Sequence, residues 1–347
     1  MKLCAVSNYN GKGYINEPLI LKELYSTLGI DIHDTYTFRD FNAPYIINKK
    51  YTHLIINYDY KASSIQMYLE FLKEIKIPKI FIIDTIPEEH RRLNREFLLK
   101  YYPHVSEGFT ALSQKFQNIL YEEYADALVF FNQRDKNLFS KYYTVSTNKP
   151  MAVIPPSIGK EKDIKVNIGN LKQNKNIVYN GIPSYFNGLH ITGQALYNLQ
   201  DFNLDIYGTH GRTDLNNQLL INDLLRSLPN VKFKARVRRL QDLYENYHMY
   251  IHLPIYDSFD YCTFKSILNG VIPIIGKNSS SLEFLKDYPF TTSDRIENIE
   301  YTINILSRSN KTTLEQVLIN QEANLKELNN EASVEKYKNL IKSIWYE

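Results

Sequence analysis

Short apolar runs that end in turn residues and lead into stretches of helical periodicity recur along this chain, and no other feature narrows the fold as much. The first is Lys2 to Ser7, followed by the turn Gly11-Lys12-Gly13 and an amphipathic stretch from Glu17 to Leu28. His53 to Asn57 comes next, with a helical pattern from Ser64 to Glu74. Then come Ile80 to Ile83 ending at Asp84, Ala127 to Phe131, and Met151 to Ile154 closed by Pro155-Pro156. Such runs are short and rich in Val, Ile and Phe, as strands buried on both faces are. Strand and helix in repeated alternation build a parallel sheet covered by helices.

Between about Gly159 and Lys175 the chain becomes rich in Lys, Asn and Gly and loses its periodicity, as a connector does. The pattern then restarts with Ile177 to Tyr179, Leu204 to Gly208, Val231 to Phe233, Met249 to Leu253 and Val271 to Ile275. The expectation is an α/β protein of two Rossmann-like domains, 1–165 and 175–333, facing an interdomain cleft of the kind that takes small ligands. A final helix, at about 334–347, is expected to pack back on the first domain. A chain of 347 residues is long enough for two cores.

Composition excludes several classes. At 44% hydrophobic and 23% charged, with 13 Gly and 13 Pro, the chain is neither disordered nor fibrous. Cys4 and Cys262 are its two cysteines, which rules out a disulfide framework and a cysteine zinc site. A reducing, cytoplasmic setting is expected. No apolar run reaches the ~20 residues of a membrane span. With 41 Lys and Arg against 38 Asp and Glu, the formal charge of +3 neither demands nor excludes a nucleic-acid partner.

The segment His252 to Leu285 carries the most chemistry. A strand leads into Pro254-Ile255-Tyr256-Asp257-Ser258-Phe259-Asp260-Tyr261-Cys262-Thr263, then a helix, Gly270, a second strand, Gly276-Lys277-Asn278-Ser279-Ser280-Ser281 and a further helix. Two helix N-termini, near Thr263 and Ser281, are thereby expected at the carboxyl edge of a parallel sheet, where free N–H groups and the helix dipole suit a diphosphate. An ordinary strand, loop and capped helix has the same spacing.

Tyr261, Gly270, Val271-Ile272-Pro273-Ile274, Lys277-Asn278-Ser279 and Leu282-Glu283-Phe284 stand in an order that resembles the donor-nucleotide region of retaining glycosyltransferases with the GT-B fold. More narrowly, the order is similar to that of the phage DNA α-glucosyltransferases that modify hydroxymethylated bases. Leu54 to Asn57, the strand ending at Asp84, Arg91-Arg92, Asp126 to Phe131 and the Gly181 to Gly188 spacing extend the likeness over most of the chain. The resemblance implies a nucleotide diphosphate sugar as donor, a UDP-sugar first, with no essential metal, DNA as acceptor, retention at the anomeric carbon and a monomer. It places Gly11, Lys12, Gly181, Gly208, Arg212, Asp257, Tyr261, Cys262, Thr263 and Lys265 on the donor side. One departure is marked. An arginine and a lysine that usually hold the donor phosphates, and a glutamate that usually holds the ribose, correspond here to Ile182, Asn187 and Lys265. Lys265, with Arg212, is then the cation left to reach a phosphate; a degenerate site is the alternative.

Asp84, at a strand's carboxyl end, is the candidate catalytic carboxylate, able to accept an acceptor proton or to stabilise a positive sugar; the resemblance adds His90, and Glu88 and Glu89 are rivals. Arg91, Arg92 and Arg95 on one predicted helix, and Arg236, Arg238 and Arg239 beside Lys232 and Lys234, are candidates for phosphate contact with DNA, and Arg236 to Arg239, following the strand expected to approach the cleft, are equally placed to line the donor phosphates. A solvated face is the commoner meaning of such clusters. The eight His show no HxxxH or HExxH spacing. Three readings remain open: a DNA-modifying glycosyltransferase, a GT-B enzyme acting on a glycan or cell-wall polymer, and a GT-B-derived binding protein without turnover.

Overall fold

The structure is a computed structural model. It describes residues 2–7, 24–30, 34–37, 50–57, 65–101, 103, 114–158, 175–208, 215–235, 237, 243–244 and 246–344. The chain forms two compact units: residues 1–91, 109–159 and 328–347 make the first, and residues 92–108 and 160–327 the second.

The first unit holds six parallel strands: β1 (Leu3–Ser7), β2 (Thr35–Thr37), β3 (His53–Asn57), β4 (Lys79–Ile83), β5 (Ala127–Phe130) and β6 (Met151–Val153), in the order β2-β1-β3-β4-β5-β6. All residues of β3, β4 and β5 are buried, which is why their central residues read as continuous apolar runs and not as alternating ones, with polar His53, Asn57 and Lys79 only at the strand ends. β2 escapes a sequence reading because Thr-Tyr-Thr at a sheet edge has no apolar run to show. The Pro87–Tyr101 helix starts where Pro87 can occupy the first helical position at no hydrogen-bonding cost, with Glu88 and Glu89 at its positive end. The last helix, Asn330–Ser343, starts earlier than the expected 334 because Asn329 caps it, accepting from the Ala332 N–H at 2.8 Å. Ser333 Oγ donates to the Pro155 carbonyl at 3.0 Å, which ties this helix to the chain beyond β6.

The second unit repeats the design with β7 (Asn176–Asn180), β8 (Asn203–Tyr207), β9 (Val231–Lys234), β10 (Met249–His252), β11 (Ile272–Gly276) and β12 (Thr291–Thr292), all parallel, in the order β12-β11-β10-β7-β8-β9. From β7 the chain winds outward through β8 and β9, then returns to β10 on β7's other side. That reversal opens the space beyond the carboxyl ends of β7 and β10, where open α/β sheets bind ligands. Two helices, Ile296–Arg308 and Lys311–Leu325, complete this unit. The helix expected after Ser281 is a single 3₁₀ turn, Ser280–Glu283. Three successive serines are poor helix formers, and Asp287, with φ of 51°, followed by Pro289 prevents continuation.

Candidate functional site

At the reversal, backbone meets backbone. The Gly181 N–H donates to the Tyr207 carbonyl at 2.9 Å, and a Cβ on Gly208 would stand 2.0 Å from the Gly181 carbonyl oxygen. The ends of β7 and β8 can therefore close only because residue 208 lacks a side chain. Beyond them, Ile182 is 57% exposed, and its carbonyl accepts from Asn187 Nδ2 at 2.8 Å and from the Tyr179 hydroxyl at 3.1 Å. Ile182 and Asn187, where the resemblance leads to an expectation of phosphate-binding cations, thus form a neutral, self-bonded turn.

On the other side of the reversal, His252 ends β10 and is buried. Its Nε2 lies 2.8 Å from Asp257 Oδ2 and 3.6 Å from Asp260 Oδ2. Asp257 reaches the turn after β11, where its Oδ1 accepts from the Ser280 N–H at 2.5 Å and its Oδ2 from Ser279 Oγ at 3.0 Å. Asp260 caps the Tyr261–Leu268 helix, taking the Cys262 N–H at 3.0 Å and the Thr263 hydroxyl. Both turn starts that were expected to offer N–H groups to a diphosphate therefore already hold a carboxylate of this chain. Burial works to lower the His252 pKa, but the two carboxylates outweigh it and hold the value above that of free histidine. Burial raises the Asp260 carboxyl, and His252 opposes this only in part.

Tyr261, Cys262 and Thr263 form the first turn of that helix. Lys265 lies one turn on, its ammonium 5.1 Å from the centroid of the Tyr261 ring, a cation–π distance. Cys262 is no nucleophile: burial, with the Asp260 charge beside it, pushes its thiol up to about 12. Asn180 Nδ2 lies 3.4 Å from its sulfur, and the Tyr244 hydroxyl donates to its carbonyl at 3.0 Å. The second unit thus brings together Gly181, Gly208, Asp257, Tyr261, Cys262, Thr263 and Lys265, and adds His252, Ser279 and Ser280. His252 was legible in the sequence as a polar residue closing an apolar strand before two aspartates.

In the first unit, Asp84 follows β4 half-buried, and its Oδ2 accepts from Asn57 Nδ2 at 3.0 Å, at the end of neighbouring β3. Its rivals are engaged elsewhere: Glu89 accepts from the Tyr142 hydroxyl at 2.5 Å and Glu88 from that of Tyr143, which fastens the start of their helix to the end of Gln133–Tyr142. His90 is a weak base, since burial and then the Arg91 charge push it down to about 3. Arg92 Nη1 donates to both Glu96 carboxylate oxygens, at 2.8 and 2.9 Å; Arg95 is exposed and Arg91 half-buried. Lys232 and Lys234 are exposed on β9, with Lys234 3.8 Å from Asp205. Gly11, Lys12, Arg212, Arg236, Arg238 and Arg239 lie outside the described residues. Among the described residues no group of three or more His, Cys, Asp or Glu side chains is arranged to hold a metal ion, and no helix is long and apolar enough to cross a membrane.

No protein-family model matches the sequence, and no curated protein does. Solved structures do match. HepE from Anabaena, in complex with UDP-glucose, superposes with a TM-score of 0.71 at 14% identity, over 99% of this chain and 100% of that one. The UDP-forming α,α-trehalose-phosphate synthase from Burkholderia xenovorans, in complex with glucose-6-phosphate, gives 0.69 at 11% identity over 99% and 100%. Sucrose-phosphate synthase from Thermosynechococcus elongatus gives 0.68 at 14% over 92% and 79%. These neighbours are GT-B glycosyltransferases. The chain has the GT-B fold. At such identities the likeness speaks for the fold, and activity has to be argued from the residues.

Proposed function

We propose that this protein is a glycosyltransferase that binds a UDP-sugar at the carboxyl edge of β7 and β10 and transfers the sugar, with retention, to a hydroxymethyl group on a DNA base. The observation that carries the donor half is the reversal of strand order beside Gly181 and Gly208, in a fold matched end to end by a neighbour whose structure holds UDP-glucose. Lys265 and Tyr261 flank the first turn of the helix there, so Lys265 is the side chain to meet phosphate charge. The reading assigns no metal to the site. Asp84, steadied by Asn57, is the carboxylate for the acceptor proton or for the positive sugar, because Glu88 and Glu89 are bonded to tyrosines and His90 is too weak a base.

The acceptor half rests on the resemblance of Tyr261, Gly270, Val271 to Ile274 and Lys277 to Ser279 to the phage DNA enzymes. A glycan or cell-wall acceptor is the second reading, favoured by two observations: the neighbour in complex with glucose-6-phosphate, and the commitment of Arg92 to Glu96, which withdraws a cation from phosphate contact. A panel of nucleotide sugars offered with DNA bearing hydroxymethylated cytosine or uracil, with glycosylated DNA and with wall polymers, read by mass spectrometry, separates them. A hexose or pentose increment on DNA is the expected result. An increment on a polymer alone overturns the DNA acceptor, and donor binding without any transfer supports a binding protein.

A further inference from the structure

We infer that His252, Asp257 and Asp260 form a proton-linked latch, so that binding of the anionic donor is coupled to uptake of a proton by the protein. The inference rests on the donor reading above. One buried imidazole joins two carboxylates that close two different turns. Asp257 holds Ser279 and Ser280 beyond β11, while Asp260 holds Cys262 and Thr263 at the start of the helix. Both turns border the strand reversal where a diphosphate would lie.

Among the described residues, groups from three elements surround this cluster, and Lys265 lies one turn further along the helix that Asp260 caps. On β10, the Tyr250 ring lies parallel to His252 at 6.4 Å; from β7 come Tyr179 and Asn180; from the helix comes Cys262; and Tyr244 reaches that helix through the Cys262 carbonyl. Burial raises the hydroxyls of Tyr179, Tyr244 and Tyr250 and the Cys262 thiol, which therefore remain neutral and supply no counter-charge. The charge of the cluster then changes with the protons on His252 and Asp260, and protonation of the ring removes one negative charge from its sum. The two carboxylates hold His252 above free histidine against the effect of burial, and burial holds Asp260 up, so both groups bind protons more readily than in water. A diphosphate brought to the same edge adds negative charge, raises the cluster's proton affinity further and draws protons in.

Linkage gives the size of the effect: uptake of about half a proton weakens donor affinity roughly threefold for each unit of rising pH. The measurement is isothermal calorimetry with UDP-glucose near pH 7.5 in two buffers of different ionisation enthalpy. UDP-glucose is the probe because its diphosphate has no group that titrates near neutrality. Proton uptake is expected for the wild type, with near-complete loss in His252→Gln. Asp260→Asn, which keeps a cap acceptor, should reduce the uptake even if His252→Gln folds poorly. Binding without proton exchange, or uptake unchanged in either folded variant, overturns the latch and leaves the donor reading standing. No binding of UDP-glucose overturns both. A ligand-free readout tests the cluster itself. Because the folded His252 pKa is raised, its stabilising contribution is complete below about pH 6.5 and is lost as pH rises through the folded value. The thermal midpoint of wild type relative to His252→Gln should therefore fall between pH 6 and pH 8.5, and a constant difference refutes the latch.

Discussion

Gly188→Ala should destabilise the second unit far more than Gly29→Ala destabilises the first, and the pair separates two physical terms. Both glycines have left-handed backbone, with φ of 74° and 68°. A Cβ at Gly29 meets nothing within 4 Å, so its replacement costs only the conformational strain, about 1–2 kcal/mol. A Cβ at Gly188 would stand 1.9 Å from the Leu253 carbonyl oxygen and 2.8 Å from its carbon. These are backbone atoms that no rotamer change can move aside, so overpacking adds about 1–3 kcal/mol or more to the same strain. The difference between the variants should thus be at least about 1 kcal/mol, read by urea titration of each unit's own transition. Leu253 follows His252 directly, so pushing it away also displaces the acidic loop that leads to Asp257 and Asp260. Gly188→Ala is therefore expected to weaken UDP-glucose binding, and Gly29→Ala to leave it alone. Equal costs for the two substitutions would mean that Leu253 does not lie against Gly188, and the geometry of the loop after β10 would fall with it.

Asp84→Asn is expected to lower turnover by about 10²–10⁴-fold while changing donor affinity little, the signature of an acid or base acting on the reaction itself; turnover at the wild-type rate would remove Asp84 from the mechanism. Lys265→Ala should weaken UDP-glucose binding by roughly tenfold, the size of one charge-assisted contact, and Tyr261→Ala by less; titration calorimetry with both unchanged would place the donor elsewhere. Arg95→Ala, if DNA is the acceptor, should reduce the salt slope of DNA binding by about one, and an unaltered slope would assign Arg95 to solvent. His190, buried between Phe97 and Tyr185 and pushed down by burial to about 3, favours the native state above pH 6.5 and progressively ceases to do so as pH falls toward 3. His190→Gln should consequently flatten the fall in thermal midpoint between pH 7 and pH 5.

What was legible in the sequence depended on burial. β3, β4 and β11 could be read directly because every one of their residues is buried, so each carries a run of three or more apolar residues, Leu54 to Ile56, Ile80 to Ile83 and Ile272 to Ile275. β2 and β12 sit at sheet edges as Thr-Tyr-Thr and Thr-Thr, with no apolar pattern to detect. The Ile296–Arg308 helix is a different case: Ile299, Ile303 and Leu306 are buried at helical spacing, and the pattern was there to be found. At the candidate site, the order of Asp257, Asp260 and Tyr261 along the chain pointed to the loop after β10, where both aspartates lie with His252. Their side-chain destinations did not follow, because whether an aspartate before a helix faces a ligand or folds back to cap its own N–H groups is decided by a neighbour, here His252, brought in by the strand before it.

The charge pattern at this edge argues for relocation of the donor's counter-charge. In the glycosyltransferases that the segment resembles, an arginine, a lysine and a glutamate together carry one positive charge. Ile182, Asn187 and Lys265 carry the same single charge, moved from the turn after β7 to the second turn of the helix after β10. A cation there lies one turn beyond a helix start where Asp260 already takes the Cys262 N–H and the Thr263 hydroxyl, so on the proposed donor reading the diphosphate meets a carboxylate of the protein at that turn. Such a site binds a diphosphate well only if the Asp260 charge is diminished when the donor arrives, and a proton shared with His252 is the available means. Asp260→Asn makes that neutralisation permanent while preserving the cap. It should therefore tighten UDP-glucose binding above pH 7.5, where the wild type is weakest, and change it least near pH 6. Weaker binding of the variant at every pH would show that the donor's charge is met somewhere other than at this helix.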